Sequence, residues 1–146
     1  MFATRSPAQA YHKVGVETGV EAASSHQLIV MLFDGALLAV GNAQKQMEQK
    51  QIPEKGASVS RAIDIISLGL RASLDKSSGG ELAANLDALY DYMVRRLLEA
   101  NLKNDPDALT EVAKLLREIH EAWVQIGDTP EARGHGRDPV QGIAAG

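Results

Sequence analysis

Four stretches of this chain repeat apolar residues every three or four positions, and each is long enough for a helix of about 20 residues. Only short connections separate the stretches, and each connection contains residues that start or stop helices. Helices of matching length joined by short connections pack as antiparallel neighbours. The sequence therefore predicts an all-α fold, namely an antiparallel up-down four-helix bundle.

Capping residues place the ends of the first two helices. Ser24 and Gln27 form a capping box, in which a hydroxyl accepts a hydrogen bond from a free backbone N–H and a glutamine side chain reaches back. We expect the first helix to run from Ser24 to about Glu48. Pro53 suits the first turn of the second helix, because the N–H that it lacks would have no helical partner there. We expect that helix to continue to about Leu74.

Similar signals place the third and fourth helices. The residues from Ser78 to Glu81 have the form of a second capping box, so we expect the third helix to begin there and to end near Lys103. Asp105 followed by Pro106 supplies a cap and a first-turn proline for the fourth helix. Its apolar stripe continues to Gly127, which is expected to end it.

The chain divides into three parts. Residues 24–127 contain the predicted bundle, which we interpret as a single domain. Residues 1–23 form a short N-terminal segment in which two glycines weaken any helix. Residues 128–146 are rich in proline and glycine and lack periodicity, so we predict a disordered C-terminal tail there.

Composition limits the classes of function. The chain has 146 residues, no cysteine and a formal net charge of -4. Nucleic-acid binding needs a basic surface that an acidic chain lacks, and a chain without cysteine has no disulfide and no thiolate metal ligand. We see no secretory signal and no apolar run long enough to span a bilayer. We therefore expect a cytoplasmic protein that does not insert into the membrane.

Residue types that support catalysis or metal binding are scattered. The four histidines are His12, His26, His120 and His135. Glu118 lies two positions before His120, which puts their side chains on different faces of a helix, whereas a di-iron bundle uses Glu-x-x-His pairs. No carboxylate pair has a spacing that suits general acid and base catalysis. We predict no catalytic residue, no metal site and no cofactor.

Three of the predicted helices carry more apolar surface than a core stripe of about 100° requires. The core stripe of the third helix consists of Leu82, Leu86, Leu89, Met93 and Leu97. Ala83, Tyr90, Val94 and Leu98 extend the apolar arc to roughly 160–180° at 100° per residue. The surplus is either covered within the fold or used to bind another polypeptide. Periodicity alone does not separate partner binding from homodimerisation.

Glycine occurs inside two of these helices. Gly35, Gly41 and Gly69 each cost a helix about 1 kcal/mol relative to alanine. We expect tight helix packing to compensate at Gly35 and Gly69, because both lie near the edges of core stripes.

The order of several motifs resembles the FliS family of flagellar secretion chaperones. The first is VETGVEAASSHQLIVMLFDGA, from Val16 to Ala36. The second is SLDKSSGGELAANLDALYDYMVRRLLEANLKND, from Ser73 to Asp105, and the third is EVAKLLREIHEAW, from Glu111 to Trp123. The likeness extends over roughly 11–126 and combines many short motifs, which makes it specific.

The resemblance implies both a fold and a function. Members of this family are cytoplasmic antiparallel four-helix bundles that bind the disordered C-terminal region of flagellin. They keep flagellin from polymerising early and deliver it to the flagellar type III export apparatus. On this hypothesis the surplus apolar surface contacts the client. The candidate partner-binding residues are Leu37, Leu38, Ile65, Leu68, Tyr90, Val94, Leu98 and Asn101.

The resemblance also implies a use for the N-terminal segment. In related proteins, residues before the first bundle helix can cover the client groove when it is empty. Tyr11, Val14 and Val16 are the candidates for such a cap here. Two alternatives stay open at this point: a homodimeric helical interaction module without a chaperone role, and a small helical-bundle enzyme with a polar constellation in its interior.

Overall fold

The computed structural model describes residues 24–75 and 77–127, and this part of the chain is helical apart from short turns. The predicted N-terminal cap residues and the C-terminal tail lie outside the described residues. The helices are α1 (Ser25–Glu48), α2 (Ile52–Asp64) with a π-helical continuation (Ile65–Arg71), α3 (Gly80–Lys103) and α4 (Pro106–Gly127).

The start of α1 confirms the predicted capping box. The Ser24 hydroxyl oxygen accepts from the Gln27 backbone N–H at 3.1 Å, and the Gln27 side-chain oxygen accepts from the Ser24 N–H at 2.8 Å. Both interactions satisfy N–H groups that have no partner within the helix. The helix ends at Glu48, as expected.

The second helix differs from the prediction of one α-helix that continues to Leu74. Pro53 does lie in its first turn, but the α-helix ends at Asp64 and a π-helix follows from Ile65 to Arg71. The helix therefore ends at Arg71, short of the predicted Leu74, and its last part is π-helical and not α-helical. Leu74 still packs against the core, although it lies beyond the helix.

The predicted capping box before α3 is wrong. Gly79 is the cap residue, and no side chain caps the helix there. The Ser78 hydroxyl donates instead to the carboxylate of Asp75, which also accepts from the Ser77 hydroxyl at 2.7 Å. These bonds lower the pKa of Asp75 to about 2, led by the one from Ser78. Two local hydroxyl donors therefore stabilise the connection between α2 and α3, and the cap of α3 lies at Gly79, one residue after the predicted Ser78.

The other ends of α3 and α4 match expectation. Helix α3 ends at Lys103, and Asn104 adopts a left-handed conformation with φ 51°. Asp105 then caps α4, since its carboxylate accepts from the Asp107 backbone N–H at 3.0 Å. Pro106 is the first residue of α4, in the position that the missing N–H favours.

The helices pack in chain order around one core. Helix α1 packs on α2 and α4, and α3 packs on the same two helices. This arrangement confirms the predicted all-α, antiparallel four-helix bundle. The core includes Phe33, Ile66, Met93, Leu97 and Leu116, all fully buried. Leu82 is an exception among the predicted core residues, because it lies in the first turn of α3 and is 39% exposed.

Glycine permits a close approach of α1 and α2. A Cβ atom placed on Gly69 would lie 2.8 Å from Leu32 Cδ2, and one placed on Gly35 would lie 3.3 Å from Ile65 Cδ1. The expected tight packing at Gly35 and Gly69 is confirmed. Gly41 has no neighbour within 4 Å of such an atom, so packing does not explain it.

Helix α1 is the one described helix that is long and apolar enough to cross a membrane by length and composition. Half of the window that meets this test is buried inside the bundle. The core helix of a soluble protein has the same properties, so the finding is weak support for a membrane span.

Candidate functional site

Three of the predicted contact residues are strongly exposed leucines on successive helices. Leu38 on α1 is 66% exposed, Leu68 in the π-helix is 62% exposed and Leu98 on α3 is 54% exposed. Burying a leucine side chain is favourable by about 1.5–3 kcal/mol, so each offers binding energy to a partner. Because α2 lies between α1 and α3, the three leucines extend across one side of the bundle.

Two more predicted residues lie at the margins of this side. Val94 on α3 is partly buried and packs against the core. Asn101 is also partly buried, and its backbone carbonyl accepts a hydrogen bond from α2. Leu37 on α1 is partly buried too, but it lies seven positions before Gln44, which bonds to Thr110, so it is on the face of α1 toward α4. We call the five residues on this side the leucine surface: Leu38, Leu68, Val94, Leu98 and Asn101.

Ile65 and Tyr90 do not lie on this surface, which corrects the expectation that they do. Ile65 is 8% exposed and packs against α1 at Gly35. Tyr90 is 2% exposed, and its ring centroid lies 6.5 Å from that of Phe33. Burial raises the pKa of the Tyr90 phenol well above its ordinary value. Both side chains therefore belong to the core. On α3, Tyr90 faces inward together with Met93 and Leu97.

An ion-pair cluster joins the π-helix to α3 next to the leucine surface. Arg71 Nε donates to Asp87 Oδ1 at 2.7 Å, and Arg71 Nη1 donates to Asp91 Oδ1 at 3.1 Å. Asp91 also pairs with Arg95 one turn along α3, at 3.2 Å. These carboxylates raise the pKa of Arg71, and the largest cause is the hydrogen bond that Arg71 donates to Asp87. The cluster fixes α2 against α3 near the Val94 end of the surface.

A buried lysine performs the same task near the Asn101 end. Lys55 is 2% exposed, and its Nζ donates to the Asn101 carbonyl at 2.9 Å and to Asn104 Oδ1 at 2.7 Å. Both acceptors belong to the C-terminal end of α3, where unpaired carbonyls give a partial negative charge. The lysine therefore satisfies the end of α3 from the neighbouring helix, without a carboxylate partner among the contacts that the structure describes.

The leucine surface borders a groove on α2. This groove has a volume of about 500 Å³. Leu68 contributes apolar surface to it, and Arg61 and Asp64 contribute one charge of each sign. Such a mixture suits an amphipathic segment better than a run of like charges. The described residues that line the groove are Ala57, Ser60, Arg61, Asp64, Ile65, Leu68 and Gly69.

Metal chemistry is not suggested by the described part of the chain. Within residues 24–75 and 77–127, no three histidine or carboxylate side chains come together as metal ligands. His120 Nε2 lies 2.9 Å from Asp34 Oδ1, but no hydrogen bond joins the two atoms. His26 packs instead against the Trp123 ring, at a centroid distance of 5.5 Å.

Comparison with known proteins gives the family. The family model described as "Flagellar protein FliS" matches residues 7–130. The chain belongs to the FliS family. That match spans all four helices, and it includes every residue of the leucine surface.

Relatives in the FliS family are similar over most of their length. The flagellar secretion chaperone FliS of Salmonella typhimurium is 54% identical over 123 residues, which is 84% of this chain and 91% of the relative. The protein of that name from Escherichia coli is 52% identical over 84% of this chain and 90% of its own length. The one from Bacillus subtilis is 33% identical over 92% and 96%. These relatives are named for a chaperone role, which is not an enzymatic one.

Sequence reasoning missed several exposed apolar residues of this FliS family member. Leu102 on α3 is 81% exposed, Met31 on α1 is 49% exposed and Ile52 at the start of α2 is 48% exposed. Met31 lies seven positions before Leu38, so helical phase puts the two on one face and could have identified it. Ile52 contributes instead to a second groove of about 700 Å³ at the end of the bundle, where Met47 and Pro106 also lie.

Proposed function

We propose that this protein is a cytoplasmic export chaperone that binds the disordered C-terminal region of flagellin. It prevents premature polymerisation and delivers flagellin to the flagellar type III export apparatus, without catalysis and without a cofactor. Membership of a family of flagellar secretion chaperones supports the general role. The choice of client segment and of export apparatus is carried over from the resemblance.

The single observation that carries this proposal is the set of exposed leucines on α1, α2 and α3. Leu38, Leu68 and Leu98 are each more than half exposed in a bundle whose core is otherwise closely packed. Large apolar side chains grouped on one side of a soluble domain mark an interaction site. A disordered chain with apolar side chains can cover several such positions at once, because it need not be folded beforehand.

This arrangement also explains how a chaperone could hold its client reversibly. An apolar client segment left free in the cytosol is prone to self-association. The leucine surface would shield its apolar side chains from each other. Ordering a disordered chain costs about 2–5 kcal/mol of the gross binding energy, which keeps the affinity low enough for release at the export apparatus.

The proposal extends to the N-terminal segment, which lies outside the described residues. Tyr11, Val14 and Val16 would cover part of the leucine surface until the client displaces them. A variant without residues 1–17 should then bind the client with a faster on-rate in stopped-flow fluorescence. An on-rate equal to that of the full chain would remove the cap from the proposal and leave the binding surface in place.

The direct test is a charge on the leucine surface. Val94→Asp and Leu98→Asp should each weaken binding of a purified flagellin C-terminal segment by about tenfold or more in calorimetry, because a buried carboxylate would lack a partner. Circular dichroism should show the helicity retained for Leu98→Asp in particular, since Leu98 is 54% exposed.

A matched control is available on the fourth helix. Val124→Asp places the same charge at a side chain that is 39% exposed on α4, away from the leucine surface. It should leave binding unchanged. Equal loss in all three variants would contradict a site on one side of the bundle. If light scattering shows a dimer that Leu98→Asp dissociates and the flagellin segment does not, the surface serves homodimerisation instead.

A further inference from the structure

A second groove lies at the end of the bundle where α1 leads into α2 and α3 leads into α4. It opens between Met47 and Ile52 on one side and Asn104 and Pro106 on the other, with a volume of about 700 Å³. We call it the end groove. No residue that lines it belongs to the leucine surface or to the groove on α2. A partner in the end groove would therefore leave the leucine surface free to hold a client.

Hydrogen bonds hold both sides of the end groove in place. The buried Lys55 Nζ donates to Asn104 Oδ1 at 2.7 Å, which fixes the turn between α3 and α4 against the start of α2. The Gln44 side-chain amide joins α1 to α4 through a long hydrogen bond of 3.4 Å to the Thr110 hydroxyl. Because these walls are fixed before anything binds, a partner loses little binding energy in ordering them.

Lys50 lies in the end groove with an unusual backbone conformation. In the described part of the chain, Lys50 and Asn104 are the two residues other than glycine with a positive φ, at 59° and 51°. Both line the end groove, and each lies just after a helix. Glycine and asparagine usually take this conformation after a helix, so Asn104 is ordinary there and Lys50 is not. A lysine in a position that favours glycine indicates that its side chain has a use.

The side chains of Glu48, Lys50 and Ile52 are exposed along one rim of the end groove. Ile52 is 48% exposed, and neither Glu48 nor Lys50 has an ion-pair partner within residues 24–75 and 77–127. A rim with one charge of each sign beside an exposed apolar side chain is complementary to itself. In a two-fold contact, residue i of one copy meets residue j of the other, and residue j meets residue i. Such a contact would pair the Glu48 of each copy with the Lys50 of the other.

We propose that the end groove binds a second copy of this chain in a two-fold dimer. Ile52 of each copy enters the groove of the other, and Lys50 of each copy pairs with Glu48 of the other. This contact uses a different surface from the client site and does not depend on the proposed function. A contact confined to one end of the bundle buries less than the about 1,600 Å² of a standard interface, so the dimer should be weak and dissociate in the micromolar range.

Charge reversal tests the ion pairs of this dimer. In sedimentation velocity, the wild type should change from monomer to dimer between about 1 µM and about 1 mM. Lys50→Glu and Glu48→Lys each bring like charges together in both contacts, so each variant alone should dimerise at least about tenfold more weakly. An equal mixture of the two variants should dimerise like the wild type, because both contacts then join opposite charges. A groove that serves an unrelated partner does not predict this recovery.

Ile52→Asp tests the apolar part of the contact. It should weaken the dimer by about tenfold or more, because a carboxylate would enter an apolar groove. Val124→Asp is the matched control, since Val124 is 39% exposed and lies near the C-terminal end of α4, at the opposite end of the bundle. It should dimerise like the wild type, and circular dichroism should show the same helicity for both variants.

Lys50→Gly separates a role in the dimer from a structural role of the lysine. Glycine suits the positive φ, so this variant should unfold at a higher urea concentration, measured where the wild type is monomeric, and yet dimerise more weakly. A lower urea midpoint with unchanged dimerisation would mean that Lys50 serves the fold, and the proposal would be wrong.

The remaining outcomes are also decisive. A wild type that stays monomeric up to about 1 mM overturns the proposal. A mixture of the two charge variants that dimerises no better than either alone overturns it too, and so does a dimer that Leu98→Asp dissociates and Ile52→Asp does not. If Ile52→Asp does not fold, the charge variants decide, because both of their positions are exposed. The flagellin segment should bind equally well to all these variants of the end groove, so the proposed function is tested separately.

Discussion

The α1–α2 contact and the α3–α4 contact are built on opposite principles. Helices α1 and α2 fit together by shape, because Leu32 packs against Gly69 and Ile65 packs against Gly35. Helices α3 and α4 meet at their outer edge through charge. There Arg96 Nε donates to Glu111 Oε1 at 2.6 Å.

The polar contact forms a small network. Arg96 also donates to Glu99 at 2.6 Å, and the Tyr92 hydroxyl donates to Glu111 at 2.9 Å. Side chains that hold ion pairs at a helix edge also cover the apolar atoms beneath them. Between α1 and α2 no ion pair is described, although the Ser58 hydroxyl donates to Gln46 Oε1 at 2.6 Å, and this is the side where Leu38 and Leu68 are exposed. Ion pairs therefore cover the edge between α3 and α4, whereas the side that we propose for the client exposes apolar side chains.

The largest effect should come from filling the space between α1 and α2. Gly69→Ala adds a Cβ atom 2.8 Å from Leu32 Cδ2, and Leu32 is itself buried and cannot easily move. We expect a loss of about 1–3 kcal/mol in the free energy of unfolding, measured by urea denaturation.

Gly41→Ala is the matched control. No atom lies within 4 Å of its added Cβ, so alanine's better helix propensity should raise the free energy of unfolding by about 0.5–1 kcal/mol. If Gly69→Ala and Gly41→Ala changed the free energy of unfolding by the same amount, the idea that shape sets the α1–α2 contact would be contradicted. In particular, a stabilising Gly69→Ala would show that α1 and α2 can separate without cost.

A smaller effect on the free energy of unfolding is expected at the contact of α2 with α3, where a charged side chain is buried in close packing. Lys55 is fully buried and donates to two neutral oxygens at the end of α3. Lys55→Met keeps most of the packing but leaves the Asn101 carbonyl without its donor. We expect a loss of about 1 kcal/mol in urea denaturation.

Lys50→Met gives the comparison for that change, because Lys50 is exposed. It should leave the free energy of unfolding almost unchanged. A neutral or stabilising Lys55→Met would instead mean that the cost of burying the ammonium exceeds the value of its two hydrogen bonds.

The sequence predicts most of this fold because its helix signals are local. The capping box at Ser24 and the Asp105–Pro106 start were both found from the chain alone, since their partners lie within three residues. The start of α3 was misread, because two interpretations of Ser78 compete locally. Its hydroxyl donates to the Asp75 carboxylate and the cap is Gly79, and the helix signals in the sequence do not show this shift of one residue.

The candidate site was predictable only in part. Helical phase identified the three exposed leucines, Leu38, Leu68 and Leu98. It also predicted a surface position for Tyr90 and Ile65, whereas both side chains are buried. Helical phase can be read from a sequence to within about one residue. A buried position and an exposed position on a helix can lie only one residue apart, so an error of that size changes the prediction. The π turn was not foreseen, because a periodicity of about 100° per residue assumes a regular α-helix.

A still smaller effect should follow from removing the charge that joins α3 to α4. Arg96→Gln breaks both ion pairs, but the partners are open to solvent and exposed pairs contribute little. We expect a loss of stability below that of Gly69→Ala. A double-mutant cycle with Glu111→Gln isolates the pair itself. A coupling larger than the effect of the glycine change would reverse the order proposed for the two contacts.

The smallest effect is the pH dependence of that same contact. Arg96 holds the pKa of both Glu99 and Glu111 below the ordinary value of 4.5, through its hydrogen bonds to each. Because the folded pKa is the lower one, the contribution to stability is fully present above pH 4.5 and is lost as the pH falls through the folded values. The difference between the wild type and Arg96→Gln should therefore shrink in urea denaturation below pH 4.5. The difference between the wild type and Gly69→Ala should stay constant over that range, since no titrating group takes part. A glycine difference that changes with pH as much as the arginine one would show that charge also controls the α1–α2 contact.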